Sequence, residues 1–145
     1  MKFGYSQVTS APPGNVGFTG QDKCFLTAHA ALTAGDVVEV DFGSASASAP
    51  YATDTKAVAD DEYGICGVVE EDCASGDAVR VTFRGTLPAQ TSGTPAAEAV
   101  LSAGSGVLVA AAAASKVVGV ALEVGTSSPT HVLFNGIEGF GTNVA

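Results

Sequence analysis

Two segments of the chain carry the same short pattern of glycines and alternating β-branched residues. The first spans residues 34–85 and the second spans residues 103–136. Two pairs of landmarks correspond: Gly67-Val68-Val69 with Gly119-Val120-Ala121, and Phe83-Arg84-Gly85 with Phe134-Asn135-Gly136. The separation of the two landmarks along the chain differs by one residue between the copies. Two similar β units are predicted to pair into one compact all-β body.

The remaining pattern of the chain favours a small β-barrel or a β-sandwich. Its 145 residues fit a single domain, and a Val-rich composition with 18 Gly favours strands joined by tight turns. Strands are predicted over residues 37–42, 63–70, 78–84, 117–124 and 131–137. A loop is predicted over 43–55, a short helix near 96–101, and a positive φ at Gly136.

Residues 24–32 could form a first strand or a short helix, and the strand predicted over 37–42 should have one buried face and one wet face. Val38, Val40 and Phe42 alternate with Glu39 and Asp41, so the apolar set is expected to face the core. Arg80 and Arg84 share one face of a later strand and are expected to face solvent.

The N-terminal segment is predicted to be an extended arm over residues 1–22, followed by a single β domain over 23–145. Pro12 and Pro13 disfavour regular structure in the arm. Three aromatic residues, Phe3, Tyr5 and Phe18, punctuate it. Such side chains suit an arm that docks onto its own body or onto a neighbour.

The charge balance argues against two classes of partner. The chain has 15 Asp and Glu against 6 Lys and Arg, which gives a net charge of −9. Nucleic-acid backbones require clustered basic residues, and anionic membranes repel an acidic protein. The uncharged stretch 99–115 is rich in Ala, Gly and Ser, so it is not expected to span a membrane. Because only 14% of the residues are charged, part of the surface is expected to be covered by a protein partner.

Cysteine and histidine usage predicts no metal, cofactor or disulfide framework. Cys24, Cys66 and Cys73 are odd in number and form no CxxC pair, and only His29 and His131 could assist them. The three thiols are therefore expected to be small buried hydrophobic side chains in a reducing compartment.

No catalytic constellation is recognisable, so the chain is not expected to be an enzyme. It lacks the G-x-S-x-G nucleophile elbow, and its acidic residues fall in contiguous runs such as 60–62 and 70–72. Contiguous acids are typical of solvated loops rather than of an acid/base pair. Calcium is a weak alternative, since the runs have no EF-hand spacing.

The repeated segments resemble the small capsid decoration, or cement, proteins of tailed bacteriophages. The resembling motifs are [Ala/Ser]-Gly-Asp-x-Val-x-Val at residues 34–40 and 75–81, Gly-Val-Val-Glu at 67–70, and Val-Val-Gly-Val-Ala-Leu-Glu at 117–123. They cover roughly residues 34–136, and the proline-containing arm before an all-β body also fits. The loop over 43–55 departs from the compact members of this family.

The resemblance implies a structural role in the virion. Such a protein binds the outer surface of the expanded capsid, often as a homotrimer, and bridges neighbouring major capsid proteins. It would be assembled in the host cytoplasm, which suits unpaired cysteines. The residues expected to contact the capsid or a neighbouring copy are those of the arm: Phe3, Tyr5, Pro12, Pro13 and Phe18.

An alternative function is an adhesion module of the virion or cell surface. It would bind a glycan or a receptor through an aromatic or acidic patch. Tyr51, Tyr63 and the acids near residue 60 are the candidates for that patch.

Overall fold

The computed structural model describes residues 21–44, 51–54, 65–125 and 129–143, and every structural statement below concerns these ranges. Their regular structure is nine β-strands and one 3-10 turn at Phe42–Ser44. The prediction of an all-β body is therefore confirmed. The strands are β1 (Asp22–Thr27), β2 (Val37–Asp41), β3 (Ala52–Asp54), β4 (Cys66–Val69), β5 (Ala78–Ala89), β6 (Val100–Ala103), β7 (Leu108–Ala110), β8 (Gly119–Ala121) and β9 (Thr130–Asn135).

The strands form one sheet in the order β1-β3-β2-β4-β5-β9-β8-β6-β7. Strand β1 also pairs with the first half of β5, so the pairings among β1, β3, β2, β4 and β5 run in a cycle. The second half of β5 pairs instead with β9. A parallel bridge from Thr91 to Leu108 then brings β7 back beside the residues that follow β5. The long strand β5 thus belongs to both halves of the molecule.

Two hydrophobic clusters fill these halves. The first cluster comprises Leu26, Ala28, Val38, Val40, Val69, Val79, Val81 and Phe83. The second cluster comprises Val37, Cys66, Val68, Leu87, Ala89, Leu101, Ala103, Leu108, Val118, Ala121, Val132 and Phe134. Strands β2 and β4 contribute to both clusters because successive side chains point to opposite faces.

The burial of both faces corrects the predicted wet face of β2. Val37 lies on the same face as Glu39 and is fully buried in the second cluster. Phe42, predicted to be the last core residue of this strand, instead begins the 3-10 turn and is 52% exposed. The alternation therefore predicted burial correctly for Val38 and Val40, but not for Val37 or Phe42.

Strand β5 is five residues longer than the prediction, which ended it at Arg84. Its pairing with β1 skips one residue, because Asp22 lies opposite Arg84 while Lys23 lies opposite Thr82. Such a bulge bends a strand and increases its twist, which turns the second half of β5 towards β9.

Pro88, which lies beyond the predicted end of this strand, is inside β5. The Gly136 N–H donates to the Phe83 carbonyl at 2.8 Å, which fixes the alternation of the β5–β9 ladder. Pro88, opposite His131, then falls in a non-hydrogen-bonded pair. Its missing N–H therefore costs the ladder no hydrogen bond.

Two further local predictions were wrong. The helix near 96–101 is replaced by a turn, in which the Ala99 N–H donates to the Ala96 carbonyl, and by β6, which begins at Val100. Strand β6 pairs with β7 and β8 and buries Leu101 in the second cluster. Tertiary pairing here overrides the helix propensity of alanine. The loop over 43–55 contains β3, which pairs with β2.

The two segments aligned in the sequence contain hairpins of the same register. Val68 and Val69 lie opposite Thr82 and Val81, and the corresponding Val120 and Ala121 lie opposite Leu133 and Val132. The strand that precedes each hairpin is paired differently. In the first segment β2 pairs directly with β4, whereas in the second segment β6 lies between β7 and β8. That the two halves form a duplicated unit stays a prediction.

Candidate interaction surface

The predicted contact residues Phe3, Tyr5, Pro12, Pro13 and Phe18 lie outside the described residues, so the structure shows only the base of the arm. The predicted arm boundary at residue 22 falls inside β1, since Asp22 is already paired with Arg84 of β5. A salt bridge joins the same two side chains. One residue earlier, the Gln21 side-chain amide donates to the Thr86 carbonyl at 2.9 Å. The arm is thus fixed to β5 where it enters the body.

A groove with wholly apolar walls opens at the end of the first cluster. We call it the apolar groove, and it is lined by Cys24, Leu26, Val40, Phe42, Tyr51, Ile65, Phe83 and Ile137. Its volume is about 260 Å³. The rings of Phe42 and Tyr51 meet edge to face, with centroids 5.6 Å apart, and are 52% and 43% exposed. A wall of this kind can accept an apolar or aromatic side chain and offers nothing to a charged one.

Local structure explains why the described residues leave the groove uncovered at its rim. Cys24 and Leu26 alternate on the inner face of β1, whereas the deeper Ala28 and Val79 of the first cluster do not line it. At the end of β2, the Asp41 carboxylate accepts a hydrogen bond from the Gly43 N–H at 2.9 Å, and the chain turns away. Phe42 is therefore left on the rim instead of closing the core.

Sequence reasoning named Tyr51 only for the adhesion alternative and did not single out Phe42 as a surface residue. The signal in the sequence that could have identified these two surface aromatics is their position along the chain. These two aromatic residues bracket the Ser/Ala-rich loop, one immediately before it and one near its end. Tyr63 and the acids near 60, the other parts of that predicted patch, lie outside the described residues.

A second concavity of about 380 Å³ surrounds the base of the arm. It is lined by Gln21, Ala34, Gly35, Val69, Glu70, Thr86, Leu87, Pro88 and Pro129. Gly35 adopts a φ of 93°, which lets the turn before β2 approach both Val69 and Gln90. Gly35 donates its N–H to the Val69 carbonyl, and its own carbonyl accepts from Gln90.

Glu70 connects this concavity to two strands. It contacts Lys23 of β1, accepts a hydrogen bond from the Thr82 hydroxyl at 2.9 Å, and lies 3.8 Å from Arg80. Desolvation opposes ionisation of Glu70, but the hydrogen bonds from Lys23 and Thr82 and the charges of Lys23 and Arg80 prevail and lower its pKa.

The exposed arginines do not form a free basic patch. Arg80 and Arg84 both face solvent, as predicted. Arg80 lies over the ring of the exposed Phe25 at 5.2 Å and pairs with Glu70, and Arg84 pairs with Asp22. Each guanidinium is therefore already balanced by a carboxylate.

The cysteines differ in environment. Cys66 is buried as predicted, and desolvation raises the pKa of its thiol to about 12. Cys73 is partly buried, but Cys24 is exposed on the wall of the apolar groove, which corrects its predicted burial. Cys24 precedes the buried Leu26 on the same face of β1, so the covering of this face ends between the two residues.

The histidines are set apart from each other. His29 Nδ1 lies 2.6 Å from the Thr53 hydroxyl, and His131 is partly buried on β9. Within the described ranges, no group of three or more His, Cys, Asp or Glu side chains could hold a metal ion. The same ranges contain no helix with the length and apolarity that a membrane crossing requires.

Comparison with known proteins gives a structural relative and no sequence family. No family model matches the chain, and no curated protein matches it. The solved structure of the N base of the head fiber protein gp8.5 of bacteriophage phi29 is similar, with a TM-score of 0.58 at 14% sequence identity. The similarity covers 82% of this chain and 98% of that one. The two chains therefore share a fold across nearly the whole phi29 domain.

Proposed function

We propose that this chain is a structural, non-enzymatic protein of a bacteriophage virion. The observation that carries the proposal is the fold shared with the N base of the phi29 head fiber, which extends over 98% of that domain. The resemblance of the repeated Gly-Asp and Gly-Val segments to capsid decoration proteins points to the same class. Two independent lines, one from backbone geometry and one from sequence motifs, thus favour attachment to a phage head.

In the finer form of the proposal, the protein binds the outer surface of the capsid and cements neighbouring major capsid proteins. A homotrimer placed over a local symmetry axis would touch several capsid subunits at once. Repetition over the lattice multiplies a modest contact energy, which stabilises the expanded, DNA-filled head. The distal arm, with Phe3 and Tyr5, would extend this footprint onto the capsid or onto a neighbouring copy, at an entropic cost for its ordering.

A second candidate is an adhesion module that binds a glycan or a receptor. The exposed edge-to-face pair of Phe42 and Tyr51 favours it, because aromatic faces stack on apolar sugar surfaces. In the described part of the chain, the walls of the apolar groove beside this pair present only apolar surface, which does not fix hydroxyl groups. Capsid binding therefore remains the preferred proposal.

The experiment is co-sedimentation of the purified protein with undecorated, expanded phage heads. Binding that saturates at a fixed ratio to the major capsid protein is expected, and the ratio identifies the symmetry axis. A chain lacking residues 1–20 is expected to bind more weakly, whereas Phe140→Ala, an exposed aromatic outside the arm, serves as the matched control. Protein that stays in the supernatant at every salt concentration would refute capsid binding, and glycan and receptor screening would follow.

A further inference from the structure

Asn135 and Gly136 form the one Asn-Gly pair of the sequence, and they lie at the end of β9. Asparagine followed by glycine is prone to spontaneous deamidation, because glycine has no Cβ to hinder the approach of its nitrogen to the asparagine side chain. The other two asparagines, Asn15 and Asn143, precede valine, whose branched side chain crowds that approach. The sequence therefore carries one candidate site for this modification, and the proposed function makes no use of it.

Deamidation is an intramolecular reaction with water as its co-reactant. The Gly136 nitrogen loses its proton and forms a bond to Cγ of Asn135, and the Cγ–Nδ2 bond breaks to release ammonia. Water then opens the resulting succinimide ring at either carbonyl. One opening gives aspartate, and the other gives isoaspartate, in which the main chain runs through Cγ. The reaction therefore requires a Gly136 N–H that is free and an Asn135 side chain that can turn towards it.

The fold holds the attacking nitrogen. Gly136 is buried, and its N–H donates to the Phe83 carbonyl at 2.8 Å. The Gly136 carbonyl accepts from the Cys66 N–H at 3.0 Å, so both polar groups of this residue are bonded to other segments. A Cβ on Gly136 would lie 1.8 Å from the Cys66 carbonyl oxygen, so the backbone has little room to turn here. The nitrogen is therefore released only when this end of β9 leaves β5 and Cys66.

The fold also holds the side chain that would be attacked. Asn135 Oδ1 accepts hydrogen bonds from the N–H groups of Ile137 at 3.2 Å and Glu138 at 3.1 Å. Two backbone donors identify this atom as the oxygen, since the amide nitrogen of asparagine does not accept hydrogen bonds. The amide nitrogen donates instead to the Gly139 carbonyl at 3.4 Å. Rotation of the side chain towards the Gly136 nitrogen would break these bonds.

The loop that follows β9 is anchored to the segment that precedes β8. The Lys116 ammonium group donates to the Ile137 carbonyl at 3.3 Å. Three residues further along the loop, the Phe140 N–H donates to the Val117 carbonyl at 2.7 Å. Detachment of this loop would remove the backbone donors that fix Asn135 Oδ1.

We propose that Asn135 is a deamidation site gated by opening of residues 135–140. In the closed loop the Gly136 nitrogen and the Asn135 side chain are both bonded elsewhere, and the asparagine persists. In the open loop the pair reacts as it does in an unstructured chain, so its conversion records how often this end of β9 opens. The inference concerns the isolated protein and does not depend on capsid binding.

Peptide mass spectrometry of the full chain, aged at one mildly alkaline pH with and without urea, tests the protection. Asn135 is expected to convert about a hundredfold more slowly in buffer than in urea, because the unfolded fraction of a native protein is about 10⁻³ or less and local opening is more frequent than unfolding. A free peptide of residues 131–139, aged in both solutions, corrects for any effect of urea on the reaction itself. A folded chain that reacts as fast as the unfolded one would overturn the proposal.

Lys116→Met tests the gate, because it removes the hydrogen bond to the Ile137 carbonyl and leaves β9 unchanged. In buffer it should raise the rate at Asn135 about fivefold or more, the population change that the net contribution of one hydrogen bond gives. Lys23→Met is the matched control, since it removes a contact with Glu70 that involves no residue of this loop. Equal rates in the two variants would refute opening at this loop. A Lys116→Met effect of the same size in urea would also refute it, because the lysine would then act on the reaction and not on the fold.

Discussion

At the scale of single residues, close backbone approaches decide where glycine is required. Gly136 was predicted to need a positive φ, but the positive values belong to other glycines, including Gly35 and Gly76 of the two Gly-Asp turns. A Cβ on Gly136 would instead lie 1.8 Å from the Cys66 carbonyl oxygen. The predicted positive φ at Gly136 was therefore wrong, and glycine is required there because the backbone of Cys66 comes so close.

Gly136→Ala is expected to destabilise the fold by about 3 kcal/mol or more, because the clash is with backbone that cannot rotate away. Gly119→Ala is the matched control, since its Cβ would meet only ordinary contacts from 3.4 Å outwards. That substitution should change the free energy of unfolding by less than about 1 kcal/mol. Urea denaturation of both variants measures the difference. Similar stabilities would show that the chain near Cys66 can shift.

The Cys66 thiol should make stability depend on pH in alkaline solution. Burial raises its pKa from 9.0 to about 12, so the folded protein keeps a proton that the unfolded chain loses. The advantage of the unmodified chain over Cys66→Ala should be constant below pH 9.0. It should then shrink by about 1.4 kcal/mol for each pH unit up to about 12. Denaturation at several pH values tests this, and a pH-independent difference would contradict it.

At the scale of elements, β5 organises the molecule because its bulge lets one strand serve two sets of neighbours. Before the bulge it pairs with β1 and β4, and after the bulge it pairs with β9. The alternation of Val79 and Val81 with Arg80 and Thr82 predicted the first half. The second half was missed because proline is ordinarily excluded from paired strands.

Moving the proline along β5 tests the ladder alternation. Pro88→Ala should change the free energy of unfolding by less than about 1 kcal/mol, because the new N–H faces away from β9. The double variant Leu87→Pro, Pro88→Ala should lose about 3 kcal/mol or more, because position 87 exchanges hydrogen bonds with Val132. A second double variant, Leu87→Ala with Pro88→Ala, is the control, because it also removes the Leu87 side chain but keeps the N–H at position 87. Equal stability of the two double variants would refute the assigned alternation.

At the scale of the whole molecule, the two hydrophobic clusters share their supporting strands. Val68 belongs to the second cluster and its neighbour Val69 to the first. Strand β4 therefore cannot leave one cluster without disrupting the other. The two halves should behave as one cooperative unit despite their separate cores.

Val68→Ala and Val69→Ala should each lower the free energy of unfolding by about 2 kcal/mol, since each removes two buried methyl groups. Both should shift one common transition. Calorimetry gives the number of transitions, and the ratio of van't Hoff to calorimetric enthalpy gives the cooperativity. Two separate transitions, each sensitive to only one variant, would show that the clusters unfold independently.

The candidate surface was foreseen less completely than the fold. Exposed Arg80 and Arg84 and buried Cys66 follow from alternation and apolar neighbours, and the structure confirms them. The apolar groove was not foreseen, because it is assembled from β1, β2, β5 and residues near β3, β4 and β9. No local pattern reports on such a convergence. Alternation even placed Phe42 in the core, whereas the turn after β2 puts it on the rim.

The amino-acid sequence by itself determined the all-β class, the main strands, the net negative charge and the landmarks that align the hairpins of the two repeated segments. These properties follow from side-chain alternation, β-branched content and glycine turns, which act over a few neighbouring residues. Tertiary structure alone decided the pairing cycle through β1, the burial of both faces of β2 and β4, the strand over 100–103 and the open groove. These features depend on contacts between residues far apart in the chain, where pairing and packing outweigh local propensity.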